Sequence, residues 1–402
     1  MMPQLTPRAQ PALRYPAGMN PFPAAWTAMF VFGTVLGVPG AVFGVPEVSE
    51  RLHLTLVSRG TLISSLFLGL LIGSVLSGPL VDWVGRRRSL SVAAGLVAVV
   101  LPAVMLVSTV TMATAVLVAL GLVASVVNTA ANAQVSELFP ESRGHRMNQL
   151  ALAVGLGGLA MAGAAALTAV VPWQASLAGA GILSAAVSVA AAFAREPHRP
   201  GSEAPRGPLV PAGLRTPMFG VLGLLVLLCG ANEASIAGWT PAYLAGAGVP
   251  ASWAPAGLAG HWAGLILGRV VIGPRVDQRK EWAIVVCALT AAAAVALFAV
   301  VTRPWLVVLM PALIGMAIAV LTPTTLALAG DRIAEAPGTV FGTMLALAQV
   351  GSMTAPALIG ALAERTGLRF AILLLAAGSV GIAALGRWLA LHAAPVPVGR
   401  ES

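Results

Sequence analysis

A single carboxyl group interrupts the long apolar stretches of this chain. Of the 14 Asp and Glu residues, all except Glu233 fall between these stretches or at their ends. A charge at the centre of a membrane-spanning helix costs about 3 kcal/mol or more, so such a residue usually faces a cavity and has a function. We expect Glu233 to carry a proton or to hydrogen-bond a polar ligand. The alternative is a neutral carboxyl group that bonds a neighbouring helix and serves packing alone.

Polar and aromatic residues surround Glu233 at helical spacing. At 3.6 residues per turn, one face of a helix would hold Asn232, Ser235, Trp239 and Tyr243. Hydrogen-bonding groups beside flat apolar rings suit a solute with hydroxyl groups and an apolar ring face, such as a sugar. Pro241 removes a backbone hydrogen bond from this helix, so we expect a kink there that helps the helix to act as a gate.

Other polar side chains lie within apolar stretches. Asn128 and Asn132 stand four residues apart, one above the other on a helix. For these two and for Gln349, ligand contact and an interhelical hydrogen bond both remain open. His261 titrates near neutral pH, but a lone histidine is more often structural. Arg269 could pair with Glu233, although a gating or structural role is the favoured interpretation because it follows a glycine near the end of its stretch.

The composition shows which elements must position these residues. The chain is 58% apolar and 9% charged, whereas soluble domains carry roughly a quarter charged residues. The apolar residues form runs of about twenty, the length of a membrane-spanning helix. Hydropathy predicts an all-α membrane protein with twelve spans, at 24–45, 60–81, 89–109, 112–137, 146–170, 175–194, 217–244, 255–275, 282–301, 304–330, 338–362 and 369–391.

Basic residues predict the orientation and the domain boundaries. With both ends in the cytoplasm, 18 of the 23 Lys and Arg residues lie on the inner side, as the positive-inside rule requires. The positive charge therefore indicates topology rather than nucleic-acid binding. We predict a tail at 1–23, a six-helix bundle at 24–194, a cytoplasmic linker at 195–216, a second six-helix bundle at 217–392 and a tail at 393–402.

The two bundles contain an internal repeat. Residues 69–82 read GLLIGSVLSGPLVD and residues 264–277 read GLILGRVVIGPRVD, with 8 of 14 positions identical. Two related six-helix halves can rock about a central site, which is a transporter geometry. In the eighth span, Gly260, Gly264 and Gly268 form a ridge of small residues that predicts close helix packing.

One loop resembles a known family signature. The segment from Gly78 to Arg88 reads GPLVDWVGRRR, which is similar to the loop 2–3 motif of the major facilitator superfamily, G-x-L-x-D-x-x-G-R-R/K-R/K. A degraded copy from Gly273 to Lys280 includes Asp277. The resemblance implies twelve helices in two halves. It also implies a conformational latch, formed here by Gly78 at a close helix approach, Asp82, Gly85, Arg86 and Asp277.

A finer resemblance concerns the seventh and tenth helices. Residues 232–239 with Tyr243 are similar to the E-x-x-x-x-G-W-x-x-x-Y pattern of the fucose:proton symporter-like branch, and Thr322–Thr325 resembles that branch's tenth-helix segment. The acidic residues of that branch's first and fourth helices are absent here. The resemblance and the polar residues within the apolar stretches together give the predicted substrate-binding set, which is Asn128, Asn132, Asn232, Glu233, Trp239, Tyr243, Thr322 and Gln349.

These observations predict a secondary transporter of a small polar solute, with a sugar and proton coupling through Glu233 as the first choice. A drug:proton antiporter and an ion-independent facilitator are the alternatives. No Walker-type loop, no grouping of catalytic residues and no metal-ligand cluster is present, so we expect neither an enzyme nor a cofactor. We expect a monomer in the inner (cytoplasmic) membrane, with the solute, protons and lipid as its partners. Cys229 and Cys287 lie in apolar stretches and are expected to be buried and free.

Overall fold

The computed structural model describes residues 22–139, 143–167, 172–194, 216–250, 253–276, 279–333 and 337–392. The regular structure of these residues is helical. The long helices are α1 Phe22–Val42, α2 Leu56–Val84, α3 Arg86–Ala103, α4 Val110–Leu138, α5 Arg143–Ala166, α6 Trp173–Phe193, α7 Pro217–Gly246, α8 Ala254–Val271, α9 Lys280–Val300, α10 in two segments Pro304–Ile318 and Leu321–Arg332, α11 Pro337–Thr366 and α12 Leu373–Leu391. Short helices occupy Pro46–Arg51, Gly273–Val276 and Leu368–Ala371.

Eleven helices among the described residues are long and apolar enough to cross a membrane. The helix outside this set is α8, whose apolar run contains His261 and Arg269. Large apolar side chains such as Val75, Val99 and Phe193 are exposed on the outside of the bundle, which is the arrangement that lipid as a solvent favours. The chain is therefore a multi-pass membrane protein.

Threonine side chains explain where three helices begin. The side chain of Thr55 accepts a hydrogen bond from Ser58 N at the start of α2. The side chains of Thr109 and Thr216 do the same for Met112 N and Phe219 N in α4 and α7. Each hydroxyl satisfies a backbone donor that has no partner within the first turn of its helix. The observed helix bounds stay within a few residues of the predicted spans.

The predicted repeat is confirmed by packing. A Cβ atom at Gly69 or Gly73 of α2 would collide with the α4 backbone, and a Cβ atom at Gly264 or Gly268 of α8 would collide with the α10 backbone in the same way. The spacing is 195 residues in both cases (264 − 69 and 268 − 73). Ser125 and Ala319 hold equivalent places beside Gly73 and Gly268. The repeated glycine pattern therefore produces two equivalent helix pairs, α2–α4 and α8–α10.

A second set of glycines extends the repeat. Gly33 of α1 lies directly against Val154 of α5, and Gly230 of α7 lies directly against Ala348 of α11. The offsets are 197 for the first members (230 − 33) and 194 for the second (348 − 154). The helix pairs α1–α5 and α7–α11 are thus equivalent as well. Helices α1–α6 are called the first half below, and α7–α12 the second half.

The end of the bundle at which α1 begins and α12 ends is called the terminal side, and the other end is called the opposite side. The two halves meet closely on the opposite side. Gly60 of α2 lies against the Pro356 carbonyl of α11, and Val57 N donates a hydrogen bond of 3.2 Å to Glu364 Oε1. Gly44, which follows α1, contacts Pro241 of α7. At these contacts the opposite side is closed.

The motif loop lies at the terminal side, where it joins α2 to α3. Gly85 joins α2 to α3 with a φ of 91° and a ψ of 146°, a conformation that is essentially restricted to glycine. Arg87 Nη1 donates to Ala194 O at the end of α6, at 2.7 Å. Gly78 makes no close helix approach in this open state of the terminal side, because a Cβ atom there would meet nothing within 4 Å among the described residues; its part in the latch stays a prediction. The close contacts of α2 are made by Gly69 and Gly73 instead.

Several predicted segments lie outside the described residues. These are Asp277, residues 1–21 of the first tail, the whole of the second tail and all of the linker except Thr216. The side chain of Asp82 is also outside the description, so the latch remains a prediction. Cys229 and Cys287 are buried and free, which confirms their assignment.

Candidate functional site

A cavity of about 580 Å³ lies at the boundary of the two halves and reaches the terminal side. Its lining residues are Ala151 from the first half and Glu233, Arg269, Gly273, Pro274, Val276, Lys280, Val320, Thr322, Pro323, Thr324, Leu326 and Ala327 from the second half. Small-molecule sites in proteins typically have volumes of about 300–1,000 Å³, so this cavity is large enough for one. Two of the residues predicted to bind substrate, Glu233 and Thr322, meet in this lining.

Glu233 and Arg269 form the charged centre of the cavity. Arg269 Nη2 lies 3.8 Å from Glu233 Oε1, and the side chains of Arg269 and Glu233 are 17% and 32% exposed respectively. Arg269 Nη1 donates to Ala151 O of α5 at 3.0 Å, and its Nε approaches Ala319 O of α10 at 3.5 Å. Arg269 thus contacts both halves and the carboxyl group of Glu233 at once.

The repeat shows that packing does not require this pair. With the offsets given above, the equivalents of Glu233 and Arg269 are Leu36 (233 − 197) and Ser74 (269 − 195). The same helix pairs pack in the first half without either charge. Ionisable residues at membrane depth are costly, so a function other than packing is the physical reason to retain them.

Arg269 also belongs to a contact that continues along α5 and α8. Gly158 of α5 lies under the Trp262 ring, and Gly155 lies beside Ile266. Together with the bond from Arg269 to Ala151, these contacts run from the middle of both helices toward the terminal side. The small residues of α5 let α8 approach closely at this boundary of the two halves.

Two ion pairs tie α9 to the end of α10 beside the cavity mouth. Lys280 Nζ lies 2.8 Å from Asp331 Oδ2, and Arg332 Nη2 lies 2.6 Å from Glu281 Oε1. Lys280 therefore reaches the cavity lining with its charge already compensated. These pairs were not anticipated from the sequence, although the adjacent opposite charges at both positions were a usable signal.

The polar and aromatic face predicted around Glu233 does not line this cavity. Asn232 bonds within α7 to Leu228 O and accepts from Ser379 Oγ of α12. Trp239 is fully buried and donates to Pro356 O at 3.3 Å, and Tyr243 donates to Phe298 O at 2.9 Å. Helix α7 also continues past Pro241 to Gly246. These side chains hold the second half together on the opposite side.

We expect Tyr243→Phe to lower stability and to leave solute affinity unchanged. The substitution leaves the buried Phe298 carbonyl without its donor, which costs about 1–3 kcal/mol. The measurement is the midpoint of thermal unfolding in detergent beside the KM for transport in liposomes. A raised KM with an unchanged midpoint would instead support the solute contact predicted from the sequence.

The remaining predicted residues are also placed apart from the cavity lining. Asn132 Nδ2 donates to both Asn128 Oδ1 and Asn128 O at 2.8 Å, so the two amides satisfy each other within α4. Gln349 is half-buried on α11. His261 is fully buried on α8 beside Gly315 of α10. The structure therefore concentrates the charged groups of the site in α7, α8 and α9.

The comparisons with known proteins agree with this architecture. A family profile described as Major Facilitator Superfamily matches residues 25–333. The solved nucleoside transporter NupG, in a mutant form, aligns with a TM-score of 0.76 at 16% identity, over 92% of this chain and 100% of its own. A bacterial homologue of the human lysosomal transporter Spinster, in an inward-facing and occupied conformation, aligns with a TM-score of 0.73 at 14% identity, over 93% and 98%. No curated protein sequence matches the chain. At these identities the structures show a shared fold.

Proposed function

The chain belongs to the Major Facilitator Superfamily, and from this premise we propose that it carries a small polar solute across the membrane by alternating access, coupled to protons at Glu233. The family and the fold make it a transporter rather than an enzyme. The observation that carries the proposal is the pair of Glu233 and Arg269 in a cavity between the two halves.

The proposed orientation places both termini in the cytoplasm and counts α8 as the twelfth span. The distribution of Lys and Arg supports it. Although α8 is less apolar than the other helices, it packs between α5 and α10, where its polar residues avoid lipid. The cavity then opens to the cytoplasm while the opposite side is closed, which is an inward-facing state. We propose the inner membrane as its location and the monomer as the unit that works.

The proposed coupling uses the contacts of Arg269. While Glu233 is ionised, its charge attracts Arg269, which also holds Ala151 O of the first half. A proton on Glu233 removes that attraction and leaves Arg269 free to bind solute or to release the first half. Proton binding at one side chain would thereby change both the solute site and the contact between the halves.

A sugar is the solute that we propose to test first. The hydroxyl-bearing residues Thr322 and Thr324 lie in the lining beside the charged pair, and they suit a solute rich in hydroxyl groups. The loop 2–3 motif is proposed to latch the terminal side when the cavity closes. A drug:proton antiporter is the second candidate, favoured by the apolar residues Val276, Val320 and Leu326 in the same lining.

The test is proton-coupled flux in liposomes that contain the purified protein and a pH-sensitive dye. A panel of sugars, sugar derivatives and apolar drugs is added outside, with protein-free liposomes as the control. Symport predicts that at least one hydroxylated solute brings protons into the lumen. If only apolar drugs move protons, and in the opposite direction, the antiporter takes its place. Solute flux without any proton movement would show that the protein is an ion-independent facilitator.

A further inference from the structure

One nitrogen of the Arg269 guanidinium group, Nη2, makes no hydrogen bond to the described residues. Arg269 Nη1 and Nε point at backbone carbonyls of Ala151 and Ala319, whereas Nη2 lies 3.8 Å from Glu233 Oε1, beyond hydrogen-bond distance. Among the residues that the structure describes, no other acceptor bonds Nη2. A guanidinium group normally satisfies its donors when it is taken out of water, and this side chain is only 17% exposed. Because Arg269 lines the cavity, the N–H groups of Nη2 can donate to a ligand there.

We propose that Arg269 Nη2 binds an anionic group of the solute, and that the solute is a small monoanion such as a sugar acid. This inference rests on the proposed function and specifies its solute. An oxyanion is the group that a guanidinium donor recognises best, because both charge and hydrogen bonding are matched. In the bound state an oxygen of the solute accepts a hydrogen bond from Arg269 Nη2. In the present structure, the nearest carboxylate oxygen to Nη2 is Glu233 Oε1, at 3.8 Å.

The charges around the cavity support a single negative charge on the solute. Among the described residues, the charged members of the lining are Glu233, Arg269 and Lys280, and the charge of Lys280 is compensated by Asp331 at 2.8 Å. An ionised Glu233 repels an incoming anion and competes with it for Arg269. A protonated Glu233 leaves Arg269 as an uncompensated charge in a partly desolvated site, which is strongly unfavourable. A monoanion restores neutrality, whereas a neutral solute does not.

This balance makes proton binding and anion binding mutually favourable. Each ligand removes the electrostatic obstacle to the other, so their affinities must rise together, and linkage requires the effect to be reciprocal. The loaded carrier then has the same net charge as the empty carrier with an ionised Glu233. One proton moves with one monoanion, and the transport step carries no net charge.

Three solutes that share one ring skeleton test the charge requirement. Wild-type protein in liposomes with an acid outside medium is offered glucuronate, glucose or glucosamine at equal concentration. We expect glucuronate to enter with protons, and its uptake to stay the same when valinomycin and potassium clamp the membrane potential at zero or at a negative value. Glucose or glucosamine entering with protons as fast as glucuronate would overturn the inference and leave the proposed function standing. If none of the three moves protons, the sugar-acid assignment is also rejected.

Variants at Arg269 test whether this side chain recognises the anion. We expect Arg269→Gln to lose glucuronate uptake by about 100-fold, and Arg269→Lys to retain uptake with a raised KM because charge remains without the planar fork. Arg387→Gln, which removes an exposed arginine of α12, serves as the matched control. The unfolding midpoint of each variant separates misfolding from loss of binding. Wild-type uptake by a folded Arg269→Gln variant would overturn the proposal.

Discussion

Replacing Glu233 with glutamine should abolish proton-driven accumulation of solute while exchange of solute across the membrane continues. Glutamine resembles the neutral carboxylic acid in shape and cannot release a proton. The variant therefore leaves Arg269 without the carboxylate that lies 3.8 Å away in the wild type. A pH difference of one unit stores about 1.36 kcal/mol per proton, enough for roughly tenfold accumulation by one-to-one symport. The variant should reach only equal concentrations on the two sides.

Accumulation and exchange are measured in the same liposomes, with labelled solute and an imposed pH difference. Glu50→Gln is the matched control, because Glu50 is an exposed carboxyl group on the opposite side. The control should accumulate solute as the wild type does. If Glu233→Gln also accumulates solute about tenfold, the proton is carried elsewhere and Glu233 reverts to a packing residue. Loss of exchange together with accumulation would instead indicate a direct solute contact.

Placing a side chain at Gly60 should prevent closure of the opposite side and stop transport. A Cβ atom at Gly60 would lie 2.6 Å from the Pro356 carbonyl oxygen of α11, and α11 can relieve this contact only by moving away. The hydrogen bond from Val57 N to Glu364 would be lost with it. We expect Gly60→Leu to fold, to reduce transport by about 100-fold and to populate a state that is open on the opposite side. Alternating access requires the protein to close on the terminal side and on the opposite side in turn. Preventing closure of the opposite side is therefore sufficient to stop transport.

Cysteine labelling detects this change of state. Both native cysteines are replaced by alanine, and Ile63→Cys is introduced because Ile63 is 3% exposed beneath the contact of α2 with α7. A membrane-impermeant maleimide should label the introduced thiol slowly in the parent and many times faster with Gly60→Leu. Gly220→Leu is the control, since a Cβ atom at Gly220 would meet none of the described residues within 4 Å. Equal labelling and full transport in the Gly60 variant would exclude a closing contact at this position.

Much of the fold follows directly from composition and spacing. Runs of about twenty apolar residues form helices because lipid cannot satisfy free backbone groups. Glycines that recur in both halves, such as Gly69 and Gly264, pack in the same way because close backbone contact admits no side chain. Glycine is required at position 85 for a different reason, because the backbone there has a positive φ. Glu233 stands out because a charge at membrane depth is costly enough to require an explanation.

Only the tertiary structure shows which helix faces line the cavity. A buried membrane helix is apolar on nearly all sides, so hydrophobic periodicity does not distinguish the side toward a cavity from the side toward another helix. Trp239 and Tyr243 therefore matched a solute-binding pattern, although they bond carbonyl groups of α11 and α9. The hydrogen bond from Arg269 to Ala151 O could not be predicted from the sequence either. Every residue has a carbonyl oxygen, and only the packing of α5 against α8 brings this one within reach of Arg269.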